Sequence, residues 1–440
     1  MKIAVAGLWH LGTVTAACLA SAGHNIIAHD DSVEVVAALR RGRPPVAEPG
    51  LAELSSVTAA QHQLVFTNDL NDLRNAEVLW VCYDTPVDDN DNADVEFVRV
   101  RVKEILPHLR DGAIVLISSQ VPVGTTRELE SEYQRRARPS QLTFAYIPEN
   151  LRLGKAIESF THPDRIVAGV RSSSDKARIA PLLQSITNRI EWMSVESAEM
   201  TKHALNAYLA TSVSFINEIA VLCERIGADA LEVERGLKSD MRIGKGAYLH
   251  AGAAFAGGTL ARDVRFLLDL SQRQHVSAAL LTGVEQSNAA HQDWTRHRLL
   301  ELLGAVAGKT VAMLGLTYKP GTNTLRRSSA LEICHWLHEQ DARVQAFDPA
   351  VSELPESLAT VIHLAASADA ALAGADVAVI ATPWPEFAAI LPDTAVNKMR
   401  TAIVIDPARH LQLTMGADSR IHYVAVGRSN ASPAPAGATK

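Results

Sequence analysis

The sequence predicts an α/β protein with two doubly wound parallel-sheet domains joined by a central helical region. Three observations carry this. Short apolar runs alternate with helix-length segments through the first half, as in a parallel sheet covered on both faces. From about residue 196 to 303 long amphipathic helical periods replace the strand signals. At Gly308 the strand–helix rhythm restarts. A chain of 440 residues is too long for one core and implies two or three domains. The expected divisions are 1–195, 196–303 and 304–425, with 426–440 a small-residue, Pro- and Ala-rich tail that reads as disordered.

Taken in order, KIAVAGL is a buried-strand run, TVTAACLASAG an Ala-rich helix ending at Gly23, and NIIAHD a second strand ending in an acid. VLWVCYDTP and AIVLISSQVP read as strands that end in turn chemistry, and FAYIPEN and DRIVAGV continue the same parallel sheet. The segment from Ser197 to Gly227 is one long helical pattern with few breakers. More helix follows, interrupted by FAGGTLARD, Phe255 to Asp263. Its glycine pair permits close approach to a ligand, so the stretch reads as a loop that presents Thr259. KTVAMLGL, RVQAFDP, VAVIATPW and TAIVIDPA supply a second sheet, with SSALEICHWLHEQ as a covering helix. Two sheets joined by a helical middle suggest a bilobal enzyme with a cleft between its lobes.

Composition excludes several classes. Hydrophobic residues make up 47% and charged residues 21%, a soluble globular balance. The net charge of −7 argues against a nucleic-acid polymer or an anionic membrane as partner, so an anionic ligand needs a local basic cluster. The four cysteines, Cys18, Cys82, Cys223 and Cys334, lie far apart and form no CxxC pair. That spacing argues against zinc ribbons and disulfide scaffolds, predicts no metal site, and fits the cytoplasm. The N-terminus carries one charge, Lys2, and an apolar run broken by Gly7, which reads as a strand rather than a signal peptide. No apolar run is expected to reach the roughly 20 residues of a membrane span.

GLWHLG, Gly7 to Gly12, stands where the first strand turns into a helix. A dinucleotide-binding turn uses glycines for the tight turn, for approach to the pyrophosphate and for helix packing. Gly7 and Gly12 supply the first and third, while Trp9 occupies the middle position. Asp30 lies 18 residues after Gly12 at the end of the second strand, where a carboxylate takes the adenosine ribose and favours NAD over NADP. A tight strand–helix turn without a ligand is the alternative. Lys202 and Asn206 are four apart on one helix and share a face. Lys319, Arg326 and Arg327 form a basic cluster at the mouth of the second sheet, suited either to a diphosphate or to a solvated face.

With these segments placed, residues 1 to about 425 resemble the UDP-glucose/GDP-mannose dehydrogenase family, the nucleotide-sugar 6-dehydrogenases. The motifs come in order: ASAGHNIIAHD, PPVAEPGLAEL, VCYDTP, SSQVPVGTT, PENLRLGKAIESFTHPDRIVAG, AEMTKHALNAYLA, GKTVAMLGLTYKPGTNTLRRSSAL, AVIATPWPEF and DPARH. The resemblance implies Rossmann-like domains for NAD and for a UDP-sugar. The helix from Ser197 to Gly227 is too long and apolar on too many faces for one lobe to cover, which predicts a homodimer through the central helical region, residues 196 to about 300. The resemblance implies cofactor contacts from Gly7, Leu11, Gly12, Asp30, Thr85, Gln120 and Arg327. It implies nucleotide-sugar contacts from Glu149, Leu151, Lys202, Arg242, Gly257, Lys319 and Arg326. Lys202 and Asn206 would stabilise the oxyanion beside hydride transfer, Glu149 and Asp263 would assist, and Thr259 stands where the family has its catalytic cysteine.

The departures cluster. Arg262 replaces the family's loop lysine, and Leu153 replaces its second loop acid. Ile147 and Gln120 replace an asparagine and a threonine, and Asn323 and Thr324 replace acids. The segment from Gly244 to Thr259 is one residue longer than is common in the family. These changes imply either an NAD-dependent oxidoreductase of a nucleotide sugar, a UDP-hexose above others, that stops at the carbonyl or else oxidises a hydrated aldehyde without a covalent link, or a catalytically inactive paralogue that binds the same ligands as a partner or regulator.

Overall fold

Lys2–Ala6, the first apolar run, forms β1, and every residue after Lys2 in it is buried. In the computed structural model, which describes residues 1–88, 93–135, 141–255 and 258–429, the chain divides into two compact units, Met1–Leu205 and Asn206–Lys440.

The strands of the first unit are β1, β2 (Asn25–His29), β3 (Leu64–Thr67), β4 (Val78–Val81), β5 (Ile114–Ile117), β6 (Thr143–Tyr146), β7 (Ile166–Gly169) and β8 (Ile190–Met193). Its helices are α1 (His10–Ser21), α2 (Val33–Arg40), α3 (Leu51–Ala60), α4 (Val95–Ile105), α5 (Thr125–Gln134), α6 (Ala156–Thr161) and α7 (Ser173–Gln184). The strands are ordered β3-β2-β1-β4-β5-β6-β7-β8. The order reverses between β1 and β4, the position where doubly wound sheets open a crevice beyond their strand ends. One expectation is corrected. β7, from DRIVAGV, meets β6 antiparallel through Tyr146 and Gly169, so the sheet is not parallel throughout. An apolar run signals burial on both faces and carries no information about strand direction.

α8 (Val195–Ile226) starts in the first unit and ends in the second, stopping one residue before Gly227, whose φ of 83° only glycine adopts at little cost. A Cβ on Gly169 would lie 2.7 Å from the Ala198 Cβ, so a glycine at the end of β7 lets the helix start close to the sheet. By length and apolar content α8 is a possible membrane span, which corrects the expectation that no such run exists. Yet Glu199, Lys202 and Asn206 are buried in it and bonded within the fold, as in a core helix.

In the second unit come α9 (Ala230–Ser239), α10 (Gly258–Arg273), α11 (Ala279–Gln292) and α12 (Trp294–Leu303). Then follow β9 (Thr310–Leu314), α13 (Ser329–Glu339), β10 (Arg343–Phe347), β11 (His363–Leu364), β12 (Val377–Ile380), β13 (Ile403–Ile405) and β14 (His422–Val424). The six strands are parallel and ordered β11-β10-β9-β12-β13-β14, the same winding as the first six of the other sheet. Ile216, Ala220 and Cys223 of α8 join Val311, Met313 and Val379 in one core. Burying a large aliphatic side chain contributes about 1.5–3 kcal/mol, so this seam fixes the C-terminal half of α8 to the second sheet. The tail beyond residue 429 lies outside the described residues.

Candidate functional site

The turn after β1 needs its two glycines for steric reasons. Gly7 has φ 88°, and a Cβ there would lie 2.7 Å from the Tyr83 backbone. A Cβ on Gly12 would lie 1.7 Å from the Gly7 carbonyl oxygen. Trp9, in the middle position, has an ordinary φ of −78° and leaves its indole half exposed. As N-cap it makes no side-chain cap bond, so no side chain of its own competes for the first-turn N–H groups of α1. Leu11 turns inward and is buried in the core. Leu8 N–H donates to Asp30 Oδ2 at 2.7 Å, and Ser32 N–H donates to Asp30 Oδ1 at 3.0 Å. The cradle, the uncapped helix start and the carboxylate fit a dinucleotide.

Two of the expected cofactor residues come together beyond β4 and β5. The buried Thr85 hydroxyl donates to the Gln120 carbonyl at 2.6 Å. The next turn is tied to α8 by Glu199, which accepts the Gly124 and Thr126 N–H groups and the Thr126 hydroxyl at 2.5, 3.0 and 2.7 Å. Burial pushes the Glu199 pKa above the usual carboxylate range in spite of these bonds. One turn further along α8, the buried Lys202 ammonium donates to the Glu149 carbonyl at 2.7 Å and to Glu149 Oε1 at 3.2 Å. Glu149 Oε2 accepts the Leu151 N–H at 2.9 Å.

In the second unit the Asn206 amide donates to the Asp263 carboxylate, both side chains buried. The segment expected to be a loop is a helix from Gly258 onward. Leu260, Val264, Leu267 and Leu268 follow the glycines at helical spacing and pack with Ala207 and Ala210, which outweighs the local glycine signal. Thr259 is therefore exposed in the first turn of α10, four residues before Asp263 and on its face of the helix. Gly257 lies outside the described residues. Arg242 projects into solvent, paired with Asp240 at 2.7 Å.

The second sheet repeats the architecture of the first turn. Gly315 has φ 94°, and a Cβ there would lie 2.4 Å from Thr382. Asp348, at the end of β10, accepts the Leu316 and Thr317 N–H groups at 2.7 and 2.9 Å, as Asp30 accepts Leu8. Lys319 and Arg327 are partly buried and Arg326 is exposed on the segments that follow. Arg327 has φ 60°, a conformation that costs a non-glycine residue of order 1–3 kcal/mol and is concentrated at functional sites.

Sequence reasoning missed Glu48, His10 and Glu199. Glu48 joins His10 and the Gly154 and Ala156 N–H groups, at 2.8–2.9 Å. The signal for Glu48 was an acid inside an otherwise turn-forming PPVAEPG stretch; Glu199 had no local signal. All four cysteines are buried, and burial pushes the Cys18 and Cys334 thiols up to about 12 and those of Cys82 and Cys223 upward as well. Among the described residues no group of three or more His, Cys, Asp or Glu is placed to hold a metal ion.

Sequence models of the UDP-glucose/GDP-mannose dehydrogenase family match three parts of the chain. The NAD binding domain matches residues 1–187, the central domain 196–290 and the UDP binding domain 312–412. The chain is 32% identical over 431 residues to UDP-glucose 6-dehydrogenase TuaD of Bacillus subtilis, covering 97% of this chain and 93% of that one. It is 34% identical over 454 residues to UDP-glucose 6-dehydrogenase of Pseudomonas aeruginosa, covering both in full. Among solved structures it resembles a UDP-glucose dehydrogenase from Pyrobaculum islandicum, with TM-score 0.87, 27% identity and 97% and 98% of the two chains covered. It also resembles a UDP-D-ManNAc dehydrogenase from Pyrococcus horikoshii, with TM-score 0.83, 25% identity and 97% and 99% covered.

Proposed function

Because the chain belongs to the UDP-glucose/GDP-mannose dehydrogenase family, we propose that it oxidises the C6 hydroxymethyl group of a UDP-hexose with NAD and releases a carbonyl product after one oxidation. It is an NAD-dependent nucleotide-sugar dehydrogenase. No finding favours a catalytically inactive paralogue. NAD supplies the hydride acceptor when bound. We assign its pyrophosphate to the Gly7–Gly12 turn and the start of α1, its ribose to Asp30, and further contacts to Leu11, Thr85 and Gln120.

The chain's own chemistry centres on Lys202. On this reading its buried ammonium is the donor for the developing alkoxide, and such a donor is worth far more in a buried site than in water. Glu149 holds that ammonium in place and is the nearest acceptor for a proton. Asn206, fixed by Asp263, follows Lys202 by one turn of α8 and offers a second polar group. Lys319 and Arg326 suit the diphosphate of the nucleotide, Arg242 a sugar or phosphate contact, and Leu151 a wall of the sugar site.

The observation that carries the single oxidation is Thr259, the family's cysteine position, on a chain whose four thiols are all buried. A threonine hydroxyl has a pKa far above that of a thiol and is a poor nucleophile without an adjacent base. The missing acid at Leu153 removes a second part of the acyl chemistry. We further propose the cytoplasm as compartment. A homodimer is supported by Tyr208, Phe215 and Leu222, exposed apolar residues seven apart along α8. Incubation of the enzyme and NAD with a panel of nucleotide sugars tests the reading: a UDP-hexose should yield NADH, and no turnover across the panel would refute it.

A further inference from the structure

Three segments of the first unit meet at one carboxylate. Glu48, in the stretch between α2 and α3, has its side chain buried. Its Oε2 receives His10 Nε2 at 2.9 Å and the Gly154 N–H at 2.8 Å, and its Oε1 receives the Ala156 N–H at 2.8 Å. Burial alone would push the Glu48 pKa up, but the Ala156 and Gly154 amides and the His10 ring bring it below the usual carboxylate range. The group is therefore an ionised acceptor, and His10 Nε2 is the donor. His10 opens the first turn of α1, directly after Trp9. Gly154 and Ala156 close the segment that begins at Ile147 and carries Glu149, the partner of Lys202. Between them, Leu151 packs against the core around Leu51 and Ala156.

We infer that the His10–Glu48 pair is a positioning device: it clamps the 147–156 segment to the start of α1 and so holds Glu149 where it meets Lys202. His10 and Glu48 are positioning residues, acting on the reaction through the backbone of this segment. The chemistry favours this over a purely structural bond. One carboxylate spends its acceptors on two amides of the 147–156 segment and on one ring of α1. Removing the ring leaves a buried carboxylate without its side-chain donor, which draws it toward water and away from the two amides. The role in turnover rests on the proposed function of Lys202 and Glu149; the clamp itself does not.

The test uses the full-length enzyme and three variants, His10→Leu, His10→Gln and Glu48→Ala, with amide hydrogen exchange of the 148–156 segment as the first readout. Exchange at Gly154 and Ala156 should rise about tenfold in Glu48→Ala and several-fold in His10→Leu. It should return toward wild type in His10→Gln, whose amide still donates to Glu48. Turnover with the nucleotide sugar should follow the same order, with kcat down at least roughly fivefold in His10→Leu and restored in His10→Gln. His10 lies within the turn assigned to the pyrophosphate, so the dissociation constant for NAD is read beside kcat by tryptophan fluorescence; it should change less than kcat, because the turn's backbone N–H groups and Asp30 remain. Unchanged exchange in both disruptive variants overturns the clamp. Faster exchange with unchanged kcat overturns its role in positioning, and NAD affinity falling as far as kcat makes His10 a cofactor contact instead. Should Glu48→Ala not fold, the His10→Leu and His10→Gln pair decides. A wild type that turns over no nucleotide sugar sinks the functional reading, and exchange alone then decides the clamp.

Discussion

Lys202 holds Glu149 twice: its ammonium donates to the backbone carbonyl at 2.7 Å and to the carboxylate at 3.2 Å. A lysine that grips both ends of one residue is fixed in direction. A fixed cation costs little reorganisation when negative charge develops beside it. Lys202→Ala should therefore lower kcat by about 10²–10³-fold, the scale of one lost oxyanion donor. NADH absorbance at saturating substrate measures it, and a loss under threefold would remove Lys202 from the chemistry.

On the proposed reading, Thr259 sets the stoichiometry. One NADH per sugar is expected, with a carbonyl product that hydrazine reagents trap. Thr259→Ala should keep much of the activity, since the hydroxyl is exposed in the first turn of α10 with no assigned base. Two NADH per sugar, a uronic acid product and abolition of both by Thr259→Ala would make Thr259 a working nucleophile.

Asp30 accepts the Leu8 N–H of the turn, and on the proposed reading it takes the cofactor ribose as well. Asp30→Ala should weaken NAD by roughly 1–3 kcal/mol, the value of a hydrogen bond to a charged group. Part of that loss belongs to the released Leu8 N–H, which Asp30→Asn can still engage. Calorimetry separates the two variants. Unchanged affinity in Asp30→Ala, or tighter binding of NADP than NAD by the wild type, contradicts the assignment.

His29 gives a pH dependence. It is buried at the end of β2, and burial holds its pKa below the ordinary 6.5, against the opposing pull of Asp31 and Asp30. His291 and His24 are depressed by burial in the same direction. The neutral ring is the folded form, so its contribution is complete above about pH 6.5, the unfolded pKa, and is lost as pH falls toward the folded value. Thermal unfolding should show Tm falling between pH 7.5 and 5.5. His29→Leu should shallow that fall, and an identical slope in the variant would show that His29 is not responsible.

Tyr208, Phe215 and Leu222 recur every seven residues on the exposed side of α8. A stripe of this kind is expected to be covered in solution. Light scattering at micromolar concentration should give a dimer, and Phe215→Asp with Leu222→Asp should give a monomer that keeps its helicity. A wild-type monomer would leave the stripe without a partner copy.

The sequence by itself determined the strand–helix alternation, the restart at Gly308, the end of α8 before Gly227 and the shared face of Lys202 and Asn206. Each of these depends on neighbours a few residues apart, where helical or strand periodicity fixes which side chains align. Only the tertiary structure decided the rest. Lys202 meets Glu149 across 53 residues, Asn206 meets Asp263 across 57, and Glu48 reaches His10 and Gly154 across 38 and 106. It also decided the antiparallel direction of β7 and the helical state of Thr259, which the glycine pair had disguised. Pairings at such separations leave no local pattern, because they arise when folded elements pack, and packing is set by the summed burial of many distant side chains.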